Sequence, residues 1–280
     1  MFAYVHQIEP KQAGKFLDEV RLGARTLLDV RQDFEYAEGH LPGARHIPLP
    51  ELSERLGELD KHLPILAYCR SGMRSLAAAN LLAGQGFREL MSLKGGILAW
   101  EGAQAQGSAD LGIQSLAEAD TPTGLLERAW GMELALEEFY IALARRAADE
   151  DVRALFRRFA GFEERHRRTL AEVWARLADA GQGGADKQAF EARAKASISP
   201  GTLEGGIASE DYLGHMAEPS DPGEALELAM AIEAQALDLY MRRSALADDA
   251  DLRRTLSLLA EEERAHLKVL GTFLSGRGKF

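Results

Sequence analysis

The chain has 280 residues, 46% apolar and 28% charged, which fits two ordinary globular domains. Its formal charge of −11 makes nucleic acid a poor partner, because the phosphates would repel it. The single cysteine excludes an intrachain disulfide and any Cys-rich zinc or iron–sulfur site.

A lone free thiol suits a reducing compartment. The N-terminus carries no basic stretch followed by an apolar run. No apolar stretch approaches the roughly 20 residues that cross a bilayer. The expectation is a cytoplasmic protein with no membrane partner.

The first hundred residues alternate in character. Residues 26–30 and 64–68 are brief apolar runs bounded by polar or turn residues, and predict buried strands. Helical patterns cover 10–20, 49–56 and 75–85. Strands alternating with helices predict an α/β domain with an open parallel sheet, over residues 1–106. Residues 107–120 are small and polar and read as a linker.

From residue 121 the strand signals vanish. Helical periodicity covers 123–147, 151–180, 222–247 and 251–274. The second and third segments are separated by about forty residues rich in Gly, Ser and Ala, a length that suits a crossover in an all-α four-helix bundle. This half, residues 121–280, contains an internal repeat with a constant offset. Glu133, Tyr140, Ala147, Asp151, Glu163, His166 and Leu170 recur as Glu233, Tyr240, Ala247, Asp251, Glu263, His266 and Leu270.

Two constellations carry chemistry. The first is Cys69-Arg70-Ser71-Gly72-Met73-Arg74, placed between a predicted strand and a predicted helix. Backbone N–H groups of such a loop can converge into an anion cradle. The following helix adds its positive end, and Arg70 and Arg74 add formal charge. All three favour thiolate over thiol, so Cys69 is the candidate nucleophile. The plain alternative is a small buried cysteine between two arginines.

Residues 1–106 resemble the rhodanese-like domains. The likeness is carried by Asp29-Val30-Arg31, Glu35, Gly39-His40-Leu41-Pro42-Gly43-Ala44, Ile47-Pro48 and the Cys69–Arg74 loop. It implies a doubly wound domain that accepts sulfane sulfur from a small donor as a Cys69 persulfide and passes it to a thiol or cyanide. Related phosphatases carry a loop one residue longer. Asp29, His40 and Pro42 are expected to brace the fold.

The second constellation is spread over the four helical segments. Glu163 and His166, three apart, share a helix face, as do Glu263 and His266. Glu133 and Glu233 sit at matching positions on the other two segments, among apolar neighbours. Buried acids are costly unless paired or coordinated. One Glu from each of two helices and Glu-x-x-His from each of the others is the two-metal carboxylate pattern of four-helix bundles. Oxygen and imidazole donors suit iron or manganese.

This half resembles the ferritin-like superfamily, and within it the rubrerythrin-type proteins. The resemblance implies two irons held by Glu133, Glu163, His166, Glu233, Glu263 and His266, an external electron donor, and oxygen or peroxide redox activity. Manganese and zinc stay open as alternatives, and a homodimer as an assembly. Ala236 and Leu237 stand where rubrerythrins often add a glutamate, and the usual four-cysteine rubredoxin site is impossible with one cysteine. Tyr140 and Tyr240 read equally as packing residues or as partners of the ligand carboxylates. His215 is given no role. A different class of function stays open too: a sulfur-carrier or sensing module on a non-catalytic metal-binding or dimerisation scaffold.

Overall fold

The computed structural model describes residues 4–111, 121–180, 186–198, 203 and 221–274. Its contacts divide the chain into two units, Met1–Ala109 and Asp110–Phe280.

The first unit is built on five strands: β1 (Val5–Ile8), β2 (Thr26–Asp29), β3 (Arg45–His46), β4 (Ile65–Tyr68) and β5 (Leu90–Leu93). All pair in parallel, in the order β1-β5-β4-β2-β3. Central strand β4 is buried at every position, as a sheet covered on both faces requires. Successive side chains alternate between the faces. Leu28 and Ala67 pack with Ala78, Ala79 and Leu82 of α3 (Met73–Gly84). Leu27, Leu66 and Tyr68 pack with Ala13 of α1 (Pro10–Glu19) and Tyr36 of α2 (Asp33–Glu38).

Both runs expected as strands are strands. β1, β3 and β5 carried no clear apolar run and escaped the sequence. The expected helix over 49–56 is instead two single turns of tight helix, Leu49–Glu51 and Leu56–Glu58. Pro50 suits the first turn of a helix and no later one, and Gly57 weakens any continuation.

The second unit contains α4 (Pro122–Arg146), α5 (Glu150–Ala180), α6 (Lys187–Ala196), α7 (Pro222–Leu246) and α8 (Ala250–Leu274). The repeat extends to the helix ends. Thr121 caps α4 by accepting from Gly124 N at 3.1 Å, and Asp221 caps α7 by accepting from Gly223 N at 2.7 Å. A proline follows each cap, where its missing N–H costs nothing. In the two hairpin turns Asp149 accepts from Val152 N at 2.9 Å and Asp249 from Leu252 N at 2.7 Å. Arg153 and Arg253 each bind back to a carbonyl, that of Ala147 and that of Ala247.

α4 packs on α5 and α7 on α8, and the pairs meet over a core that includes Tyr140, Phe156, Phe159, Ile232 and Leu270. Helix α6 lies in the segment read from sequence as a crossover loop. It docks Phe190 against Trp130 and Trp174, with ring centroids 5.8 and 4.6 Å away. Most of the rest of the crossover, His215 included, and linker residues 112–120 lie outside the described residues. Among the described residues, no helix is long and apolar enough to cross a membrane.

Gly131 sets the approach of α6, since a Cβ there would lie 2.6 Å from Ala194 O. Gly131→Val should therefore destabilise the helical unit by about 1–3 kcal/mol, read by urea denaturation. Wild-type stability in that variant would show the contact to be loose.

Candidate functional site

Cys69 follows the C-terminal end of β4, where open parallel sheets expose their crevices. The chain turns through Arg70, Ser71 and Gly72 and enters α3 at Met73. Gly72 adopts φ +96°, which a side chain would strain, and donates its N–H to Cys69 Sγ at 3.1 Å. The segment after β5 braces the loop from below. Ile97 N donates to Cys69 O at 2.8 Å and Leu98 N to Arg70 O at 3.2 Å. Gly96 is required there: a Cβ would lie 2.3 Å from Cys69 O.

Charge is arranged around this turn. Arg74 reaches back to Glu35 through two hydrogen bonds of 2.6 and 2.7 Å. This pair holds the Glu35 carboxyl at about 2, with a smaller contribution from Gln32 N. Burial pushes the Cys69 thiol up. Donors from Ser75, Ser71 and Gly72 outweigh that cost, so it lies below the ordinary 9.0. Arg74 also feels the sulfur. Arg70 is exposed and lines a 250 Å³ cleft with Arg31, Glu35 and Leu98. Met73 is 75% exposed and Ser71 is exposed, so of the loop residues these two offer no side chain to the buried sulfur. Asp29 and Arg31 form a buried pair at 2.7 Å, and Arg31 also donates to Gly39 O at 2.6 Å, tying the turn after α2 to β2.

The second constellation converges in the helical unit. Glu133 stands on α4, Glu163 and His166 on α5, Glu233 on α7, and Glu263 and His266 on α8. The four glutamates are 1–4% exposed. His166 Nδ1 lies 3.4 Å from Glu133 and 3.2 Å from Glu163. His266 Nδ1 lies 3.1 Å from Glu233 and 3.3 Å from Glu263. Each triad offers three ligand atoms within 4.8 Å of one another, as a cation would require. The two imidazoles stack at 3.6 Å, 8° from parallel. Burial, then Glu133, pushes the Glu163 carboxyl well above the usual range. Burial also acts to raise Glu233, but the hydrogen bond and charge of His266, with Glu263 and His166, together outweigh it and leave this carboxyl lowered. A 180 Å³ cavity walled by Phe159, Phe162, Val269 and Leu270 reaches Glu163, Glu233 and both histidines. Tyr140 and Tyr240 are fully buried, and Tyr140 packs against Phe156 and Phe159.

Comparison with known proteins bears on the first unit. The rhodanese-like domain family matches residues 10–103. A putative sulfurtransferase of Bacillus subtilis, YtwF, is 45% identical over 76 residues, which is 27% of this chain and 73% of that protein. The thiosulfate sulfurtransferase GlpE of Ectopseudomonas mendocina is 36% identical over 94 residues, 34% of this chain and 83% of that protein. Among solved structures, a rhodanese-like domain protein from Staphylococcus aureus is 28% identical, with 37% of this chain and 99% of that chain covered and a TM-score of 0.34.

The chain belongs to the rhodanese-like family.

Two residues that shape the rhodanese-like loop carried no assigned role in the sequence. Glu35 stood in the signature, yet its partner Arg74 is 39 residues away and only folding brings them together. Gly96 belongs to none of the quoted motifs. Its close approach to Cys69 and Arg70 is a tertiary fact, signalled in sequence only by the Gly95-Gly96 doublet.

Glu35→Gln should cost about 1.5–3 kcal/mol at neutral pH, since it removes a charge-assisted pair. The carboxyl is depressed from 4.5 to about 2. Its stabilisation is therefore complete above the ordinary value and is lost as pH falls toward the depressed one. The gap between wild type and variant should close between those two pH values in urea titrations. Gly96→Ala should lower stability by about 1–3 kcal/mol through the clash beneath the loop, read by thermal unfolding of the full chain.

Proposed function

We propose that the chain is a sulfurtransferase that carries sulfane sulfur on Cys69, joined to a two-metal carboxylate centre in its helical unit. The observation that carries the sulfur half is the set of N–H and O–H donors converging on Cys69. The cysteine thiolate attacks the outer sulfur of a thiosulfate-like donor. The S–S bond breaks, sulfite leaves with the bonding pair, and Cys69 holds the persulfide. A thiolate or cyanide then attacks the outer sulfur, and the Cys69 thiolate is the leaving group. The second step regenerates the Cys69 thiolate, which the Gly72, Ser71 and Ser75 donors stabilise. Exposed Arg70 supplies positive charge at the cleft for an anionic donor.

The helical unit is read as ferritin-like, of the rubrerythrin type. Four buried carboxylates and two imidazoles fit a pair of divalent ions in charge and donor type. Glu163 Oε2 supports this, being buried without a hydrogen bond of good geometry. Glu133, Glu163 and His166 would hold one ion, and Glu233, Glu263 and His266 the other. Bound iron would supply redox and Lewis-acid chemistry toward oxygen or peroxide, with electrons from an external donor. The protein's part is to fix the ligands and to shield the centre behind Phe159, Phe162 and Leu270.

Cys69→Ser should abolish thiosulfate-to-cyanide sulfur transfer while leaving the metal content unchanged. Full transfer by that variant would end the sulfur reading. The alkylation rate of Cys69 should rise with pH through a midpoint below 9.0. Metal analysis of protein purified without added metal should find about two ions per chain, predominantly iron, falling when Glu163 and His166 are both changed to Ala. Metal-free wild type that also refuses added iron would end the two-metal reading.

A further inference from the structure

The repeat is broken beside the cluster. Ala160, Glu163 and His166 recur as Ala260, Glu263 and His266, but Phe162 recurs as Glu262. Helical spacing places residue 262 on the same face as His266, one turn away. Glu262 is half-buried on α8, and a carboxylate oxygen of it lies within 4.8 Å of ring nitrogens of both His166 and His266. Among the described residues, it is the one further acid grouped with these ligands.

Each imidazole has two nitrogens, and their tasks are linked. Both Nδ1 atoms face the buried glutamates, at 3.1–3.4 Å. A ring that presents Nδ1 as a lone pair to a cation carries its proton on Nε2. That N–H then requires an acceptor, and in metal sites a carboxylate is a frequent one.

We propose that Glu262 is this acceptor for both histidines, a positioning residue that locks two imidazoles in the ligating tautomer at once. The inference rests on the two-metal reading of the six residues. A third cation held by His166, Glu262 and His266 is the competing use of the same atoms. The stack disfavours it. Rings 3.6 Å apart and 8° from parallel keep their in-plane lone pairs in two separate, nearly parallel planes, which do not meet at a common point. One carboxylate, with its two oxygens, can accept from two N–H groups. The first hairpin needs no counterpart: Phe162 occupies the matching position, beneath Arg165 and Arg158 at 4.6 and 5.8 Å.

The test is a cobalt(II) titration of the full chain, following stoichiometry, affinity and the visible absorption bands. Wild type should bind about two ions. Glu262→Gln and Glu262→Phe should keep that number but bind roughly 10–100-fold more weakly, with shifted bands. Glu261→Gln, at an exposed neighbouring position, should match wild type. The Phe variant restores the repeat, using a side chain that the other hairpin already accommodates. Wild-type affinity and bands in both Glu262 variants would overturn the proposal alone. So would three ions in wild type and two in the variants, which would make Glu262 a ligand. Affinity that falls only in step with helix content, followed by circular dichroism, would also overturn it. Wild type that binds fewer than two ions would remove the two-metal reading, and this assignment with it.

Discussion

Ionised carboxylates at Glu133, Glu163, Glu233 and Glu263, each 1–4% exposed, would cost several kcal/mol apiece if held away from water without a compensating partner. The helical unit nevertheless brings all four together, with two histidines as the neutralising groups at hand. Histidine is a half-measure: protonated, it balances one charge, and neutral, it balances none. Burial already forces Glu163 toward its protonated form, while His266 holds Glu233 in the ionised one. Two divalent ions would relieve the whole set and allow every carboxylate to ionise. The same constraint acts in the first unit with a different answer. There the buried negative groups are few, and each has its own partner: Arg31 for Asp29, Arg74 for Glu35, and N–H groups for Cys69.

Two hairpins of one design do not make a symmetric centre. One turn beyond Glu133 stands Glu137, in an ion pair with Arg167. The matching residues in the second hairpin are Leu237 and Leu267. Arg167 also lies over the Trp130 ring, 4.9 Å from its centroid. The second hairpin has a buried pair of its own, Asp238 with Arg242 at 2.6 Å, where the first carries Glu138 and Ala142. With Glu262 opposite Phe162, the surroundings of the two triads differ in charge and polarity at several positions. Duplicated ligands set inside unlike surroundings should not bind two ions with equal strength.

What the sequence disclosed followed from the locality of each signal. β2 and β4 are central strands buried on both faces, and their continuous apolar runs gave them away. β1 is intermediate or exposed along its length, β3 has two residues, and α2 has six, too few for any period to show. α6 went unseen in a segment rich in small residues, because what fixes it is Phe190 entering the Trp130–Trp174 cluster. The Cys69 loop was legible as one contiguous stretch. The six glutamates and histidines stood out because they recur. Glu262 did not, since within Glu261-Glu262-Glu263 only the helix face separates a candidate ligand, a neighbour of the histidines and a solvated acid.

The depth of Cys69 ties reactivity to access. The residue is 1% exposed, and burial works against the thiolate. The loop repairs that with donors aimed at one point, and those donors come mostly from backbone. Backbone N–H groups add no bulk above the sulfur. Arg74 interacts with the sulfur and is tethered to Glu35 by two short hydrogen bonds. Gly96 keeps the floor of the loop rigid from below. Adjustment to a bound donor is therefore left to the upper residues, Arg70, Ser71 and Met73, whose side chains are already exposed. The Glu35–Arg74 pair thus fixes the position of the cation that the sulfur feels.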